Sequence, residues 1–269
     1  MTTKEATFRN YTQAQGESYA TGRPGYSPEL FEIILNHHTS TGGRLDTVLD
    51  VGCGTDQATR DLAPFFRNAI GIDPSEGMIT SARETIKPSA FAARVVKAGG
   101  TVALWARTGM SVDPAKTLNG AAIKAAVEEI LNSELHQYYK QGNTLTRDLY
   151  VDLPLPWTIE TPVTGFDKSG FIRKEWSHNT ESSETEDLCT GKTLTPEEFE
   201  KLRGTSSPVA RWREANPNKA GTEEDVARKV RRRIESLLHE VGVESGEELL
   251  RGRTELVLLM VKKKGEERT

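Results

Sequence analysis

The chain is poor in the features that mark several large classes of protein. It holds two cysteines, Cys53 and Cys189, and five histidines in 269 residues. Because these cysteines lie far apart, we expect reduced thiols rather than a disulfide framework or a metal cluster. No apolar run reaches the roughly 20 residues of a membrane-spanning helix. The polar residues 1–10 also lack the apolar core of a secretory signal, so we expect a cytoplasmic protein.

An excess of positive charge is also absent. The 35 Lys and Arg residues face 39 Asp and Glu residues, which gives a net charge of −4 and argues against a nucleic-acid partner. The Arg231-Arg232-Arg233 triplet lies within a predicted helix near Glu235, so we interpret it as a solvated helix face. His37 and His38 have no acid or cysteine at ligand spacing, which favours a surface helix end over a metal site.

Strands and helices alternate in the first part of the chain. Residues 47–51 form a short β-branched and apolar run, residues 58–66 have helical spacing, and residues 69–73 form a second strand-like run. A third strand is predicted at 101–105, after a glycine turn. This alternation predicts an α/β fold in which parallel strands are joined by right-handed crossovers.

The rest of the chain is predicted to be mainly helical. The expected elements are a helix at 120–139, an irregular proline-containing segment at 149–156, a strand at 171–176, helices starting at Thr195 and Thr222, and a closing strand at 254–261. We therefore expect one domain over residues 1–269, with helical cap elements at about 120–165 and 190–218.

The sequence Asp50-Val-Gly52-Cys-Gly54-Thr-Asp56 directly follows the first predicted strand, and Asp73 comes nineteen residues after Gly54. Glycines at these positions let the backbone turn sharply and approach a ligand closely. An acid at the end of the second strand is where the hydroxyls of a ribose are expected. The pattern therefore predicts a site for a nucleoside cofactor.

Two residues bear on which nucleoside this is. A dinucleotide-binding turn needs a third glycine at position 57, where this chain has Gln57. Asp50 would also repel a pyrophosphate. A cofactor with an amino-acid end and no phosphate suits the turn better, although an NAD-dependent dehydrogenase remains an alternative.

With these motifs the chain resembles the class I methyltransferases that depend on S-adenosylmethionine (SAM). More narrowly, it resembles the trans-aconitate methyltransferase-like, or methyltransferase type 11, group of fungi and bacteria. The similar stretches are residues 19–26, 49–54, 58–62, 71–78, 93–105, 153–157, 209–214 and 221–225. The resemblance implies a Rossmann-like sheet with a helical cap, and SAM-dependent methylation of a small molecule, such as O-methylation of a carboxylic acid or secondary metabolite.

The resemblance also implies roles for particular residues. The expected cofactor contacts are Asp50, Gly52, Cys53 and Gly54 at the methionine end of SAM, Asp73 at the ribose, Pro74 and Met78 near the adenine, and Tyr19, Arg23 and Tyr26 in a covering N-terminal segment. Cys53 is not expected to be a nucleophile, because the acids around it raise the pKa of its thiol.

The methyl acceptor is expected beneath the helical cap. Arg23, Arg211 and Arg213 are the candidate cations for a substrate or cofactor carboxylate. Trp157 either lines the substrate pocket or packs in a core. We assign no catalytic residue, because methyl transfer to an ionised oxygen needs little beyond alignment of the reacting atoms.

The chain departs from the family pattern in two ways. Asp56 replaces the last glycine of the turn, where it either repels the cofactor or caps the helix beginning near Ala58, and we favour the cap. After Ile79, only residues up to Ala92 remain where the family has two more strands, so we infer an internal deletion. The sheet would then lack two strands, with the 101–105 strand beside the 47–51 strand. The alternative function is therefore a catalytically impaired methyltransferase-like protein that lacks part of its pocket.

Overall fold

The computed structural model describes residues 25–73, 96–160, 162–163, 165–166, 168–177, 188 and 190–264. These residues divide into two compact units. The first unit comprises Arg107–Leu149 with the described part of Ser177–Glu255. The second comprises the described parts of Phe8–Ala106, Tyr150–Trp176 and Leu256–Thr269. The expected single domain with two cap elements stays a prediction.

Helices and strands alternate irregularly along the described residues. In chain order, the helices are α1 (Pro28–Ser40), α2 (Gln57–Leu62), α3 (Gly120–Leu135), α4 (Gln141–Arg147), α5 (Pro196–Gly204), α6 (Ser207–Ala215) and α7 (Val226–His239). The strands are β1 (Thr47–Val51), β2 (Asn68–Ile72), β3 (Thr101–Arg107), β4 (Ser111–Val112), β5 (Ile172–Trp176), β6 (Thr190–Leu194), β7 (Leu250–Arg253) and β8 (Leu256–Lys262). Short 3-10 helices follow α2 at Ala63–Phe65 and α3 at His136–Tyr138.

The second unit contains a β1–α2–β2 arrangement. β1 and β2 are parallel, with Thr47 opposite Asn68 and Val51 opposite Ile72. α2 lies between them in the chain and buries Ala58, Thr59 and Leu62. The predicted strand, helix and strand are thus confirmed, and the end of the predicted helix is a 3-10 turn that contains Pro64.

The same unit contains a three-stranded sheet in the order β3-β8-β5. Its central strand β8 is apolar and buried from Leu256 to Val261. β5 runs antiparallel to β8, with Ile172 opposite Met260. A strand that is buried on both faces is expected to be continuously apolar, as β8 is from Leu256 to Val261.

The expected pairing of the 101–105 strand with the 47–51 strand is wrong. Among the described strands, β1 pairs with β2 and β3 pairs with β8, in separate sheets. β3 also contacts α1. His38 Nδ1 lies 2.9 Å from Thr101 Oγ1, and the Phe31 ring meets the Trp105 ring edge to face at 6.3 Å. The inferred deletion itself concerns residues that lie outside the described part of the chain.

The first unit has its own apolar core. α3 and α7 face each other through Ile123, Val127, Val230 and Ile234, all buried. Further core residues come from the other elements, among them Val112, Phe199, Val209, Trp212 and Leu250. A three-stranded sheet, in the order β4-β7-β6, completes this unit.

Side-chain caps determine where two helices of this unit begin. The capping box predicted at Thr195 is confirmed, since Thr195 Oγ1 accepts from the Glu198 amide and Glu198 accepts from the Thr195 amide. The helix predicted to start at Thr222 begins at Val226 instead, because Asp225 caps the Ala227 amide. Arg231 of α7 pairs with Glu200 of α5, and both side chains are largely covered. Arg232 and Arg233 pair with Glu223 and Glu240 and are exposed, as a solvated helix face predicts. Among the described helices, each is too short or too polar to cross a membrane.

Candidate cofactor-binding turn

The backbone between β1 and α2 has the left-handed geometry that glycine favours. Gly52 has a φ of 81° and Gly54 a φ of 55°. The amides of Gly52 and Cys53 both donate to the Ile72 carbonyl oxygen, at 2.6 and 3.1 Å, which ties the turn to the end of β2. A Cβ atom added at either glycine would meet no atom of the described residues within 4 Å. The turn is therefore fixed at its base and open where a ligand would approach.

Asp73 reaches this turn from the end of β2. Its Oδ2 accepts a hydrogen bond from the Gly54 amide at 3.0 Å. Gly54 and Asp73, both expected at the cofactor, are thus in direct contact. A carboxylate has about four lone-pair sites, so it can accept more than one hydrogen bond.

Asp50 lies on β1 just before the turn. Its Oδ2 accepts a hydrogen bond from Thr59 Oγ1 at 2.7 Å. Burial raises the pKa of Asp50, the Thr59 hydrogen bond opposes that rise, and the charges of Asp73 and Asp56 add to it. Thr59 is fully buried on α2 and was absent from the predicted site. Thr59 lies on the apolar face of the helix that follows the glycine turn, and this position of a hydroxyl is the sequence signal that would have pointed to it.

Cys53 is held in the same turn. Burial raises the pKa of its thiol to about 12, with further contributions from Asp50, Asp73 and Asp56. The direction of this shift agrees with the expected unreactive thiol, which stays a prediction. The thiol packs beside Gly71 of β2, where an added Cβ would lie only 2.9 Å from Cys53 Sγ.

The favoured interpretation of Asp56 as a helix cap is wrong. Asp56 occupies the N-cap position of α2, but its side chain makes no capping hydrogen bond. The reason is its left-handed backbone, with a φ of 67°, whereas a capping residue has extended φ and ψ. Its carboxylate is 4% exposed and lies 3.8 Å from an Arg60 guanidinium nitrogen.

Several predicted cofactor residues lie outside the described part of the chain. These are Tyr19, Arg23, Pro74 and Met78, together with the second cysteine, Cys189. Tyr26 is described, and its ring packs edge to face against Trp105 at 5.8 Å. The roles proposed for all of them at the cofactor stay predictions.

The three predicted acceptor residues fall in different units. Trp157, in the second unit, is half-buried and meets the Phe171 ring edge to face at 5.3 Å. In the first unit, Arg211 donates to the Tyr138 carbonyl oxygen at 2.7 Å and to Asn143 Oδ1 at 2.5 Å. Arg213 forms a two-point ion pair with Asp225. These contacts give both arginines structural partners, and their roles at a substrate stay predictions.

The acids of the turn do not form a metal site. Within the described residues, no group of three or more His, Cys, Asp or Glu side chains is arranged to hold a metal ion.

Comparison with known proteins identifies the segment around the turn. Residues 48–113 match the sequence profile of a family described as a methyltransferase domain. This segment of the chain is therefore similar to methyltransferase domains. The match extends from β1 through the glycine turn, α2 and β2 to β3, and it therefore includes Asp50, Gly54 and Asp73.

Individual relatives agree with this result. A protein of Dictyostelium discoideum named as a methyltransferase is 41% identical over 69 residues, which cover 26% of this chain and 25% of that protein. CRG1 of Saccharomyces cerevisiae, named as an S-adenosylmethionine-dependent methyltransferase, is 39% identical over 66 residues, which cover 24% of this chain and 22% of that protein. The chain thus matches about a quarter of the length of these curated relatives.

A solved structure extends the likeness beyond this segment. The structure named as a type II methyltransferase from Anaeromyxobacter dehalogenans superposes with a TM-score of 0.57 at 19% sequence identity, and covers 91% of this chain and 99% of that one. At this identity the likeness concerns the fold. The predicted α/β Rossmann-like methyltransferase fold is confirmed.

Proposed function

We propose that this protein binds SAM at the Gly52–Gly54 turn and transfers its methyl group to a small-molecule acceptor. The observation that carries the proposal is the meeting of Asp50 and Asp73 at an open glycine turn on β1–α2–β2. Support comes from the methyltransferase profile, which matches this same segment.

The chemistry of the turn suits this cofactor. SAM presents an ammonium group, a sulfonium group and two ribose hydroxyls. A carboxylate attracts the two cations and accepts hydrogen bonds from the hydroxyls. Asp50, Asp56 and Asp73 supply three carboxylates around one turn, where a pyrophosphate would be repelled. The glycines leave the space beside the backbone open. When bound, the cofactor supplies the electrophilic methyl group, and the residues of the turn bind and orient it.

For the acceptor we propose a small carboxylic acid or a related oxygen nucleophile. Transfer to an ionised oxygen requires alignment of acceptor and methyl group, and no dedicated acid–base pair. Arg23 and Trp157 are the residues we propose for acceptor binding. Arg211 and Arg213 are less suited, because their guanidinium groups already have partners within the first unit.

One observation favours a second candidate, a methyltransferase-like protein that binds SAM without transferring its methyl group. Among the described strands, β1 pairs with β2 alone, so the side of the sheet toward β3 lacks a hydrogen-bonded neighbour for β1. A pocket that lacks a wall would align the reacting atoms poorly, and misalignment of about 1 Å can cost 100-fold in rate.

The test compares SAM binding with methyl transfer. Melting temperatures are measured with and without millimolar SAM, and with NAD in parallel. A ligand at 100 times its Kd stabilises the fold by about 2.7 kcal/mol, which raises the melting temperature by several degrees. Labelled SAM is then incubated with a panel of small carboxylic acids to measure transfer.

Two glycines provide a matched pair of variants. Gly52 and Gly42 both have a φ of 81° and open space around the added Cβ, but Gly42 lies after α1, away from the turn. Gly52→Leu and Gly42→Leu should therefore cost similar stability, on the order of 1–2 kcal/mol. We expect only Gly52→Leu to abolish the SAM-dependent shift. A shift with NAD, or none with SAM, would contradict the proposal, and a SAM shift without transfer to any acceptor would favour the second candidate.

A further inference from the structure

The side chain of Thr59 links helix α2 to the acid of the glycine turn. Thr59 is fully buried, and its Oγ1 donates to Asp50 Oδ2 at 2.7 Å. A threonine in a helix often donates instead to a carbonyl oxygen of its own helix. Here the hydroxyl instead donates to Asp50 on the neighbouring strand β1, and the Thr59 amide also donates to this carboxylate.

The neighbouring strand is shaped to allow this contact. Gly71 of β2 lies directly opposite Asp50 in the parallel pair. A Cβ atom at Gly71 would lie 3.1 Å from Thr59 Oγ1 and 2.9 Å from Cys53 Sγ, which is closer than ordinary contacts allow. The absence of a side chain at Gly71 therefore leaves room for the Thr59 hydroxyl beside Asp50.

The surroundings of Asp50 make this hydrogen bond important. The titratable groups that face Asp50 are Asp73 from the end of β2, Asp56 from the start of α2, and the Cys53 thiol of the turn. Burial and these two carboxylates all raise the pKa of Asp50, and the hydroxyl and amide of Thr59 are what lowers it. A hydrogen bond to a charged group is worth about twice a neutral one.

From this geometry we infer that Thr59 is a positioning residue, whose hydroxyl orients the Asp50 carboxylate toward the ligand space of the glycine turn. The inference rests on the proposed SAM site, because it assigns Thr59 a role through Asp50 in that site. It predicts that cofactor affinity depends on the hydroxyl of Thr59 and not on the shape of its side chain.

The test uses three variants and S-adenosylhomocysteine, the demethylated product of SAM, as the probe. Thr59→Val keeps the shape and removes the hydroxyl, while Thr59→Ser keeps the hydroxyl. Thr117→Val removes another buried threonine hydroxyl, which accepts from the Arg251 amide in the first unit. Calorimetric titration at pH 5 to 8 measures the affinity of each variant, and circular dichroism checks that each is folded.

We expect Thr59→Val to bind about 10-fold more weakly at pH 7, since one charge-assisted hydrogen bond is lost. Its affinity should fall further toward pH 5, because the pKa of Asp50 rises when the hydroxyl is removed. Thr59→Ser and Thr117→Val should remain within about 3-fold of the unaltered protein. Equal losses in Thr59→Val and Thr59→Ser, or a Thr59→Val affinity equal to that of the unaltered protein, would overturn the inference.

A double variant and a ligand-free measurement separate this inference from the proposed function. In an Asp50→Asn background, Thr59→Val should cause no additional loss of affinity, because its effect acts through the carboxylate. Carboxyl-carbon NMR of the free protein should show a higher Asp50 pKa in Thr59→Val. If the unaltered protein binds no probe, the proposed function fails, yet an unchanged Asp50 pKa would still overturn the role of Thr59.

Discussion

Arg213 and Asp225 form a nearly buried ion pair in the first unit. Asp225 is 1% exposed, and its oxygens accept from Arg213 Nε at 2.7 Å and Nη2 at 3.1 Å. The same carboxylate accepts from the amides of Gly221 and Ala227, both at 2.9 Å, and the latter bond caps α7. Four hydrogen bonds thus meet on one side chain, and Arg213 supplies two of them.

Replacing Arg213 with methionine keeps much of the packing and leaves the carboxylate with its two amide donors. Removing one partner of a buried ion pair costs about 3–5 kcal/mol of unfolding free energy. Because the Arg213 side chain is 34% exposed, we expect a value near the lower end, about 3 kcal/mol. In an Asp225→Asn background the same substitution should cost about 1 kcal/mol, since no buried carboxylate is then left without its ion-pair partner.

The cost should also depend on pH. Burial raises the pKa of Asp225, but the hydrogen bonds from Arg213, Gly221 and Ala227 outweigh it and hold the pKa below its usual value. A depressed pKa contributes stability above the unfolded value of about 3.9, and this is lost as the pH falls through the folded pKa. In Arg213→Met the unpaired carboxyl protonates at a higher pH, which relieves its penalty. The difference between the two proteins should therefore be largest near pH 7 and smaller near pH 4.

Urea unfolding followed by circular dichroism at pH 7 and pH 4 measures both effects. A loss below 1 kcal/mol at pH 7, or a loss of equal size in the Asp225→Asn background, would refute the reasoning. The same variant examines the predicted substrate role of Arg213. Reduced methyl transfer with unchanged stability would support that role, whereas the ion pair predicts reduced stability.

Three further predictions concern the glycine turn and a helix cap. Asp56→Gly should raise the unfolding free energy by about 1 kcal/mol, because glycine adopts the φ of 67° without strain, and a lower melting temperature would contradict this. Cys53, with a pKa of about 12, should be alkylated by iodoacetamide about 1000-fold more slowly at pH 8 than a thiol of pKa about 9, as measured by peptide mass spectrometry. Asp73→Asn should accelerate that reaction, and an unchanged rate would show that the charge is unimportant. Thr195→Ala should cost about 1 kcal/mol in urea unfolding and Thr195→Ser much less, because only the alanine variant loses the capping oxygen.

The parts of the fold that were predictable depend on residues close together in the chain. The strand at 47–51, the following helix and the second strand were each signalled by short runs of apolar residues, and the Thr195 capping box spans four residues. Gly54 and Asp73 were both expected at one cofactor site, and their contact agrees with the parallel arrangement, since both strands end at the same edge of the sheet.

The errors arose where local signals compete with the wider fold. An acid directly before a helix usually caps it, but at Asp56 the glycine turn imposes a left-handed backbone that removes the cap. The pairing of Arg213 with Asp225 spans a loop and has no sequence pattern to reveal it. The neighbour expected for β3 was wrong because strand pairing depends on residues far apart in the chain, and β3 pairs with β8, about 150 residues later.

The geometry of the glycine turn is held by hydrogen bonds to β1, α2 and β2. Its hydrogen bonds connect Gly52 and Cys53 to Ile72, Gly54 to Asp73, and Thr59 to Asp50. All of these residues lie within 50–73, so the geometry of the turn does not depend on a partner strand at the other edge of β1, where the described residues supply none. Alignment of a methyl acceptor requires elements beyond this segment. The proposed cofactor binding and the proposed methyl transfer therefore depend on different parts of the chain, and a measurement of one does not stand for the other.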